Sequence, residues 1–302
     1  MICTILQLRR NLGFFLTEMH ASFGKPMSNI NFIIEKTDEK ARAGKIQTKH
    51  GSILTPVFMP VGTHGSVKAV FPKDLENLDY EIILANTYHL MLRPGENLIK
   101  KTGGLQKFIS WNKPILTDSG GYQVWSLSKL RKINEEGINF VSHIDGNKIK
   151  LTPELAIQIQ EKLNSDISMV LDECTEYPVS FERAKQSMEL SLRWAKRCKK
   201  TFKNRDGFGL FAIIQGGMYK DLRNSCLEEL LKMQFDGYAI GGLSVGEPHD
   251  EMIKIVEHSI EYVPFNSPRY LMGVGRPIDI INAVERGVDM FDCVLPTRSG
   301  RT

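Results

Sequence analysis

Eight short apolar runs recur along the chain, and most of them end in a carboxylate, an amide or glycine. Each run has the length and the aliphatic or β-branched composition of a buried strand. The runs are Pro56–Gly62, Glu81–Asn86, Pro114–Asp118, Ile167–Asp172, Leu210–Gln215, Tyr238–Gly242, Arg269–Gly273 and Met290–Val294. Eight strands with polar residues at their ends indicate a fold that gathers strand ends on one face.

Helical patterns long enough for crossover connections lie between the runs, so the sequence predicts a βαβα order and a parallel sheet. One helix begins at Thr152-Pro153-Glu154, with a capping hydroxyl, proline at the first helical position and an acid at the positive end of the dipole. Further helices are predicted over 181–203, 218–233, 249–261 and 277–286. The predicted fold class is α/β, a TIM (β/α)8 barrel.

Three segments fall outside the regular alternation. Residues 123–150 are too long for a plain loop and contain the hairpin signal Asp145-Gly146, so we expect an insertion on the catalytic face. Residues 1–30 are expected to form a poorly ordered extension, and residues 31–302 the barrel. Only Pro296–Thr302 follows the eighth run, so the sequence predicts a barrel that lacks its eighth helix.

Composition excludes few classes of protein but bears on the possible partners and the cellular location of the chain. The chain has 302 residues, 42% of them hydrophobic, and a net charge of +4, which permits an anionic partner without requiring one. Its five cysteines are widely spaced, so neither a disulfide framework nor a zinc site is indicated. No apolar stretch is long enough for a membrane span, and a cytoplasmic location is expected.

Two aspartates at strand ends are the candidate catalytic residues. Asp118 and Asp292 are distant in sequence but would meet at the mouth of a barrel. The sequence has no G-x-x-x-x-G-K-[ST] phosphate-binding loop and no H-E-x-x-H helix. Paired carboxylates suit chemistry at an anomeric carbon, where one attacks the sugar and the other moves protons.

A second polar set could hold the edge of a heterocycle. The carboxylate of Asp172 and the amide of Gln215 match the donors and acceptors of guanine. The glycine pairs Gly216-Gly217 and Gly241-Gly242 would let backbone N–H groups approach the ring closely. Tyr122 and Met272 could then pack against its two faces.

Each of these residues also has a structural explanation. Asp118 could stabilise the Ser119-Gly120-Gly121 turn, Asp172 could cap the next element, and Cys174 could be a buried apolar residue. His89 and His143 are more simply structural than metal ligands. The occurrence of all the polar candidates at strand ends favours function over these explanations.

The chain strongly resembles the bacterial tRNA-guanine transglycosylases from about residue 31 onwards. The segments that carry the resemblance are Met59–Thr63, Asn86–Gly95, Thr117–Val124, Leu171–Thr175, Ile214–Gly217, Gly241–Glu247, Leu271–Gly275 and Met290–Arg298. The resemblance implies exchange of guanine at the wobble position of tRNAs with a G-U-N anticodon for a 7-deazaguanine, a step in queuosine formation. So many specific segments in the same order make a chance resemblance implausible.

The resemblance also implies roles for residues. Asp292 would be the nucleophile and Asp118 the general acid/base, while Cys174 and Val245 match the branch that uses preQ1 (7-aminomethyl-7-deazaguanine) rather than queuine. Leu243, Ser244 and Glu247 would form a switch that adapts the pocket to the aminomethyl group. The implied substrate-binding residues are Ser119, Gly120, Gly121, Tyr122, Asp172, Cys174, Gln215, Gly242, Leu243 and Met272. The implied RNA-binding residues are Gly273, Val274, Gly275, Arg276, Pro277, Ile278, Asp279, Thr297, Arg298, Ser299, Gly300 and Arg301.

The sequence departs from the family pattern in two places. The family's Thr-Arg-Asn-Ala-Arg segment reads Thr297-Arg298-Ser299-Gly300-Arg301 here. The segment that binds structural zinc in the family would lie beyond Thr302, so no cofactor is expected in this chain. The implied partners are tRNA, guanine and preQ1, with a homodimer left open and no membrane. Two alternatives stay open: a non-catalytic relative that binds tRNA or another subunit, and a retaining glycosidase.

Overall fold

The structure, a computed structural model, describes residues 28–127 and 131–298. The strands are β1 Asn31–Asp38, β2 Ala41–Thr48, β3 Gly51–Thr55, β4 Val57–Gly62, β5 Ile83–Ala85, β6 Ile115–Thr117, β7 Arg131–Asn134, β8 Gly137–Val141, β9 Lys148–Leu151, β10 Ile167–Met169, β11 Gly209–Ile214, β12 Gly237–Ile240, β13 Arg269–Leu271 and β14 Met290–Cys293. The helices are α1 Pro72–Asn77, α2 Thr87–Leu92, α3 Glu96–Lys101, α4 Leu105–Ile109, α5 Gly121–Leu127, α6 Pro153–Leu163, α7 Phe181–Thr201, α8 Lys220–Lys232, α9 His249–Glu261, α10 Pro277–Glu285 and α11 Leu295–Arg298.

Eight of the strands form a closed parallel barrel. Their order around the barrel is β4, β5, β6, β10, β11, β12, β13 and β14, and β14 pairs with β4 to complete the circle. Each of the eight apolar runs forms one barrel strand, so the predicted TIM barrel is confirmed. Most observed strands end before the polar residues of their runs, because those residues turn away from the hydrogen-bonded ladder and line the mouth.

The predicted helices occur where the sequence patterns place them. Helix α6 begins as expected, since Thr152 Oγ1 accepts a hydrogen bond from the backbone N–H of Leu155 at 3.2 Å. Helix α7 ends at Thr201, two residues before the predicted end. The helices α7 to α10 surround the barrel, and their apolar faces bury aliphatic and aromatic side chains against the outer sides of the strands.

The insertion at residues 123–150 contains a three-stranded antiparallel sheet. Strands β8 and β9 form the predicted hairpin, with Val141 opposite Lys148 and Asp145-Gly146 in the connecting turn. The turn reaches helix α2 at the catalytic mouth, where Tyr88 Oη lies 2.9 Å from His143 Nδ1. The outer side of the sheet packs on α7, where Trp194 Nε1 donates to the Glu135 carbonyl at 2.9 Å.

A second antiparallel sheet, β1 to β3, is absent from the sequence predictions. It covers the end of the barrel opposite the catalytic mouth and is joined to the barrel by polar contacts. Buried and partly exposed residues alternate along Ala41–Thr48, but the buried positions include Arg42 and Thr48, so the sequence lacks the apolar alternation that indicates a half-buried strand. Residues 28–30, assigned from the sequence to the extension, are packed: Ile30 is buried, and Ser28 Oγ donates to Asp236 Oδ1 at 2.9 Å. Residues 1–27 and 299–302, for which the sequence also makes predictions, lie outside the described residues.

Three aspartates, each placed just before a barrel strand, organise this closed end. Asp166 Oδ2 accepts from the backbone N–H of Ile115 at 3.0 Å, Asp236 Oδ2 from Leu210 at 2.8 Å and Asp289 Oδ2 from Arg269 at 2.7 Å. Each carboxylate thus satisfies a backbone N–H group at the start of a neighbouring strand. Each also receives donors from the segment that covers the barrel: His50 for Asp166, Asn29 for Asp236 and Arg42 for Asp289.

The ion pair of Arg42 with Asp289 is fully buried. Arg42 Nε donates to Asp289 Oδ1 at 2.8 Å and its Nη2 to Oδ2 at 2.5 Å, while Nη2 also donates to the Ser267 carbonyl at 2.7 Å. A bidentate pair with its remaining donors satisfied compensates the desolvation of both charges.

We predict that Arg42→Met lowers the free energy of unfolding by about 3–5 kcal/mol, because it leaves the Asp289 carboxylate buried without its partner. Urea denaturation followed by circular dichroism measures this change. The double variant Arg42→Met/Asp289→Leu should regain much of the loss. Equal destabilisation of the single and the double variant would contradict the explanation.

Candidate active site

Asp118 lies at the C-terminal mouth of the barrel, directly after β6, and both of its carboxylate oxygens are hydrogen-bonded. Its Oδ2 accepts from Asn86 Nδ2 at 2.6 Å, and its Oδ1 accepts from the backbone N–H of Thr87 at 2.8 Å. Thr87 Oγ1 donates to the Asp118 carbonyl at 2.5 Å. The end of the neighbouring strand β5 therefore fixes both the side chain and the backbone of Asp118.

Asp292 lies near the end of β14 and is held on one side only. Its Oδ1 accepts from Tyr270 Oη at 2.6 Å and from the backbone N–H of Gly273 at 2.8 Å. Tyr270 is buried inside the barrel, so its hydroxyl has a fixed position. Within the described residues, Asp292 Oδ2 receives no hydrogen bond. One carboxylate oxygen is thus oriented and left available to a ligand.

The two aspartates interact electrostatically. Burial and, to a smaller extent, the neighbouring charge of Asp292 raise the pKa of Asp118 to about 6, against the opposing effect of the donors Asn86 and Thr87. Burial also raises the pKa of Asp292, against the effect of the Gly273 N–H and the Tyr270 hydroxyl. With a pKa near 6, Asp118 can take both protonation states near neutral pH, as a group that transfers protons requires.

Asp172 and Gln215 form a second polar pair at the mouth. Asp172 Oδ2 accepts from Gln215 Nε2 at 2.7 Å. Burial, with a smaller contribution from the charge of Glu173, raises the pKa of Asp172 to about 6, against the opposing effect of the hydrogen bond from Gln215. Glu173 is turned elsewhere: Arg183 Nη1 donates to its Oε2 at 3.1 Å and Arg183 Nη2 to its Oε1. Of the two adjacent acids, Asp172 is therefore the one available to a ligand.

The glycine pair after β12 makes room for the Gln215 side chain. Gly242 has φ +65°, and a Cβ atom there would lie 2.6 Å from Gln215 Oε1. A Cβ atom on Gly241 would lie 2.9 Å from Gln215 Nε2. Any other residue would displace the amide from Asp172. Among the described residues, the backbone N–H of Gly242 has no hydrogen-bond acceptor, so it can donate to a ligand.

The other predicted substrate-binding residues border the same mouth. The ring of Tyr122 is about half exposed and lies 5.6 Å from that of Trp125. Burial raises the pKa of Tyr122, and the charge of Asp292 acts in the same direction. Met272 is half-buried, and Leu243 is buried. Ser119 Oγ accepts from the backbone N–H of Gly121 at 3.3 Å, closing the turn that contains Gly120.

Cys174 is a buried thiol without the features of a nucleophile. Burial raises its pKa, and the nearby carboxylates of Asp172 and Glu173 raise it further. Its Sγ lies 3.6 Å from the Thr175 carbonyl. A thiol in this environment stays protonated and unreactive at neutral pH, so it can only shape the pocket.

The loop that follows Gly242 is held by a glutamate. Glu247 Oε2 accepts from the backbone N–H of Val245 at 2.9 Å, and Oε1 accepts from the backbone N–H of Ser244. Ser244 has φ +59°, a conformation that non-glycine residues adopt at a cost. Because peptide groups are planar and trans, the Leu243 carbonyl points away from Glu247.

The predicted RNA-binding residues differ in their exposure. Gly273 donates to Asp292, and Arg276, Pro277, Ile278 and Arg298 are exposed around the mouth. The side chains of Val274 and Asp279 are buried, Val274 in the apolar cluster beside β13 and Asp279 against His249 Nδ1 at 2.9 Å. Gly275 and Thr297 are half-buried. Ser299, Gly300 and Arg301 lie outside the described residues.

Three residues that donate to the candidate catalytic aspartates, Asn86, Thr87 and Tyr270, have no assigned role in the sequence predictions. Asn86 and Thr87 follow an apolar run, and their position next to another strand that ends in Asp118 is the only signal that pairs them. Tyr270 lies within a strand, and a tyrosine hydroxyl inside a barrel needs a polar partner. That requirement indicates that Tyr270 has a polar partner, but it does not indicate that the partner is Asp292.

The structure also bears on metals and membranes. In residues 28–127 and 131–298, no three histidine, cysteine, aspartate or glutamate side chains come together in a metal-binding arrangement. None of the helices in the described part of the chain has both the length and the apolar character of a membrane span.

Comparison with known proteins shows which family the chain belongs to. The family model described as queuine tRNA-ribosyltransferase matches residues 37–302. The chain belongs to this family. A queuine tRNA-ribosyltransferase from Acinetobacter baumannii (strain ATCC 17978) is 59% identical over 266 residues, covering 87% of this chain and 70% of the relative. Proteins of the same name from Rickettsia bellii and Rickettsia typhi are each 57% identical over 275 residues, covering 91% of this chain and 76% of each relative.

The matched region includes every strand end that contributes to the mouth. For a member of the queuine tRNA-ribosyltransferase family, this arrangement offers a carboxylate with a free oxygen, a carboxylate that can gain or lose a proton, and a donor-acceptor edge for a heterocycle. These are the groups needed to break and remake a bond at an anomeric carbon.

We predict that Asp292→Asn lowers the pKa of Asp118, because it removes the negative charge that helps to raise it. The pKa should stay above that of an exposed aspartate, since burial remains. Carboxyl 13C NMR titration of the wild type and the variant measures the shift. An unchanged or higher pKa of Asp118 would show that the two carboxylates do not share the mouth.

Proposed function

We propose that the chain exchanges guanine at the wobble position of tRNAs with a G-U-N anticodon for preQ1, through a covalent bond between Asp292 and ribose. The observation that carries the proposal is the pair of buried carboxylates, Asp118 and Asp292, beside the Asp172–Gln215 pair. As a member of the queuine tRNA-ribosyltransferase family, the chain is a pentosyltransferase that acts on tRNA. The close relatives carry an enzyme's name, which disfavours a non-catalytic role.

Asp292 attacks the ribose in the first step. Its Oδ2 forms a bond to C1′ of the wobble nucleotide as the bond from C1′ to N9 of guanine breaks. The donors Tyr270 and Gly273 hold Oδ1 and keep Oδ2 directed at the reacting carbon. They also lower the pKa of Asp292 and so favour the ionised form that can attack.

Asp118 transfers protons in both directions. In its protonated form it gives a proton to the departing guanine, and in its ionised form it takes a proton from N9 of the incoming base, which then displaces Asp292 from C1′. The fixed position between Asn86 and Thr87 and the pKa near 6 both support this role.

The base is read by the Asp172–Gln215 edge. The oxygens of Asp172 accept from the N–H groups on the Watson–Crick side of guanine, while an N–H of the Gln215 amide and the backbone N–H of Gly242 donate to its O6. Tyr122 and Met272 pack on the two faces of the ring. The same edge is present in preQ1, so both bases fit one set of contacts.

The choice of preQ1 over queuine rests on the loop after Gly242. Glu247 accepts from the backbone N–H groups of Ser244 and Val245, which turns the Leu243 carbonyl away from Glu247 and leaves it free to accept from the aminomethyl group of preQ1. The buried Cys174 limits the depth of the pocket beside it. A homodimer and a location in the cytoplasm, where tRNA is modified, complete the proposal.

The direct test is exchange of radiolabelled guanine into an unmodified tRNA with a G-U-N anticodon. The wild type should incorporate label, and preQ1 should compete with guanine for the site. Asp292→Asn should abolish incorporation, while the exposed control Asp206→Asn should keep it. No incorporation by the wild type, or full incorporation by Asp292→Asn, would overturn the proposal.

We predict that Asp118→Asn slows single-turnover exchange by about 10²–10⁴-fold, the usual contribution of general acid/base catalysis. Its dissociation constant for tRNA should change little, because Asp118 meets the base and not the phosphates. Rapid-quench kinetics and filter binding measure the two quantities. Equal losses in rate and in binding would indicate a structural role instead.

We predict that Asp172→Asn lowers kcat/KM for guanine by about 10²-fold, since a hydrogen bond to a charged group contributes about 1.5–3 kcal/mol and an amide cannot accept from both N–H groups of the base. Steady-state exchange kinetics at saturating tRNA measure the effect, with Asp206→Asn as the control. An unchanged kcat/KM for guanine would show that Asp172 does not bind the base.

A further inference from the structure

Arg223 is a fully buried cation behind the base-recognition edge. It belongs to the buried stripe of α8, where it precedes Cys226, Leu227 and Leu230 at helical spacing, and it is only 1% exposed. The described residues offer it no salt bridge. A buried charge without a counter-ion is expensive, and an apolar side chain would fill this stripe at lower cost.

The guanidinium of Arg223 donates to carbonyl groups at two strand ends. Its Nε donates to the Gly217 carbonyl at 2.8 Å and its Nη2 to the Gly241 carbonyl at 2.9 Å, while Nη1 lies 3.4 Å from the Ile214 carbonyl. The Ile214 carbonyl directly precedes Gln215 at the end of β11, and the Gly217 carbonyl lies two residues after it. The Gly241 carbonyl directly precedes Gly242 after β12. One side chain therefore ties together the two segments that carry the base-recognition groups.

The contact between Arg223 and the Gly241 carbonyl also orients the N–H group of Gly242. Because the peptide is planar and trans, a carbonyl that points at Arg223 turns the N–H of Gly242 in the opposite direction. That N–H has no acceptor among the described residues and is the one proposed to donate to O6 of the base. The packing is close as well: a Cβ atom on Gly216 would lie 2.8 Å from the backbone nitrogen of Arg223.

We infer that Arg223 is a positioning residue for base recognition, which orients the Gly242 N–H and the Gln215 amide through the carbonyl groups that it binds. The inference rests on the proposed function, since it concerns how the guanine or preQ1 edge is read. Its charge is what the position requires: burial lowers its pKa only to about 10, so it stays protonated at neutral pH. Lysine keeps the charge but lacks the planar fork that reaches several carbonyls at once.

The matched control is Arg42, the buried arginine at the closed end of the barrel. It is as deeply buried as Arg223, but it binds Asp289 and has no contact with the mouth. Arg42→Lys and Arg223→Lys therefore perturb two buried arginines of the same fold, and only one of them lies behind the base site. A purely structural role for Arg223 predicts the same kinetic behaviour for both variants.

The test is guanine exchange at saturating tRNA by Arg223→Lys, Arg223→Met and Arg42→Lys, with thermal melting measured in parallel. Arg223→Lys should raise KM for guanine by about tenfold, as loss of the hydrogen bond from the Gly242 N–H to the base would, and leave kcat and tRNA binding nearly unchanged. Arg223→Met should raise it further, and Arg42→Lys should lower the melting temperature without changing KM. A lower melting temperature with unchanged KM for guanine in both Arg223 variants would overturn the inference.

A second readout separates this inference from the proposed function. Hydrogen exchange of residues 214–218 and 240–243 should be faster in Arg223→Lys than in the wild type and unchanged in Arg42→Lys. If the wild type exchanges no guanine, the proposed function fails. The hydrogen-exchange measurement still tests whether Arg223 holds residues 214–218 and 240–243 in place. If the wild type exchanges guanine and neither KM nor hydrogen exchange responds to Arg223→Lys, only the positioning role fails.

Discussion

The need of a buried carboxylate for hydrogen-bond donors organises both ends of this barrel. At the closed end, Asp166, Asp236 and Asp289 each receive a strand N–H and further donors, so their oxygens are occupied. At the mouth, Asp292 and Asp172 each have one oxygen bound and one oxygen without a side-chain donor among the described residues. The same residue type therefore stabilises the fold at one end and is left incomplete for a ligand at the other.

The donors at the mouth also decide which carboxylate can do which task. Asp118 and Asp292 are both buried, and burial raises the pKa of each. Asp118 is held by Asn86 and Thr87 and has the neighbouring negative charge added to the effect of burial, whereas Asp292 is held by a tyrosine hydroxyl and a backbone N–H. The proposed function assigns proton transfer to Asp118 and nucleophilic attack to Asp292, in keeping with these different surroundings.

Much of this architecture follows from local sequence patterns. The eight barrel strands could be predicted because each is a continuous apolar run, and the polar residues at their ends could be assigned to one face because parallel strands end together. The sheet β1 to β3 could not be recognised so easily, since its strands are half exposed and mix apolar with charged residues. Its partners Asp166, Asp236 and Asp289 are distant in sequence.

The supporting residues of the site were the least predictable part. Asp118, Asp172 and Asp292 are visible as acids at strand ends, whereas Tyr270 and Arg223 look like ordinary members of a strand and a helix. Their importance comes from which atoms they reach across the barrel, and that depends on strand order and register. Periodicity reveals only that Arg223 places a cation on a buried stripe, which marks it as a residue that needs an explanation.

The central claim is that Asp292 forms the covalent bond to ribose. It can be tested by denaturing the wild-type enzyme during turnover with tRNA, digesting the RNA and the protein, and mapping the residual ribosyl mass by tandem mass spectrometry. A single adduct is expected on the peptide that contains Asp292 and none on the peptides that contain Asp118 or Asp172. An adduct on either of those residues, or rapid exchange with no adduct on any carboxylate, would contradict it.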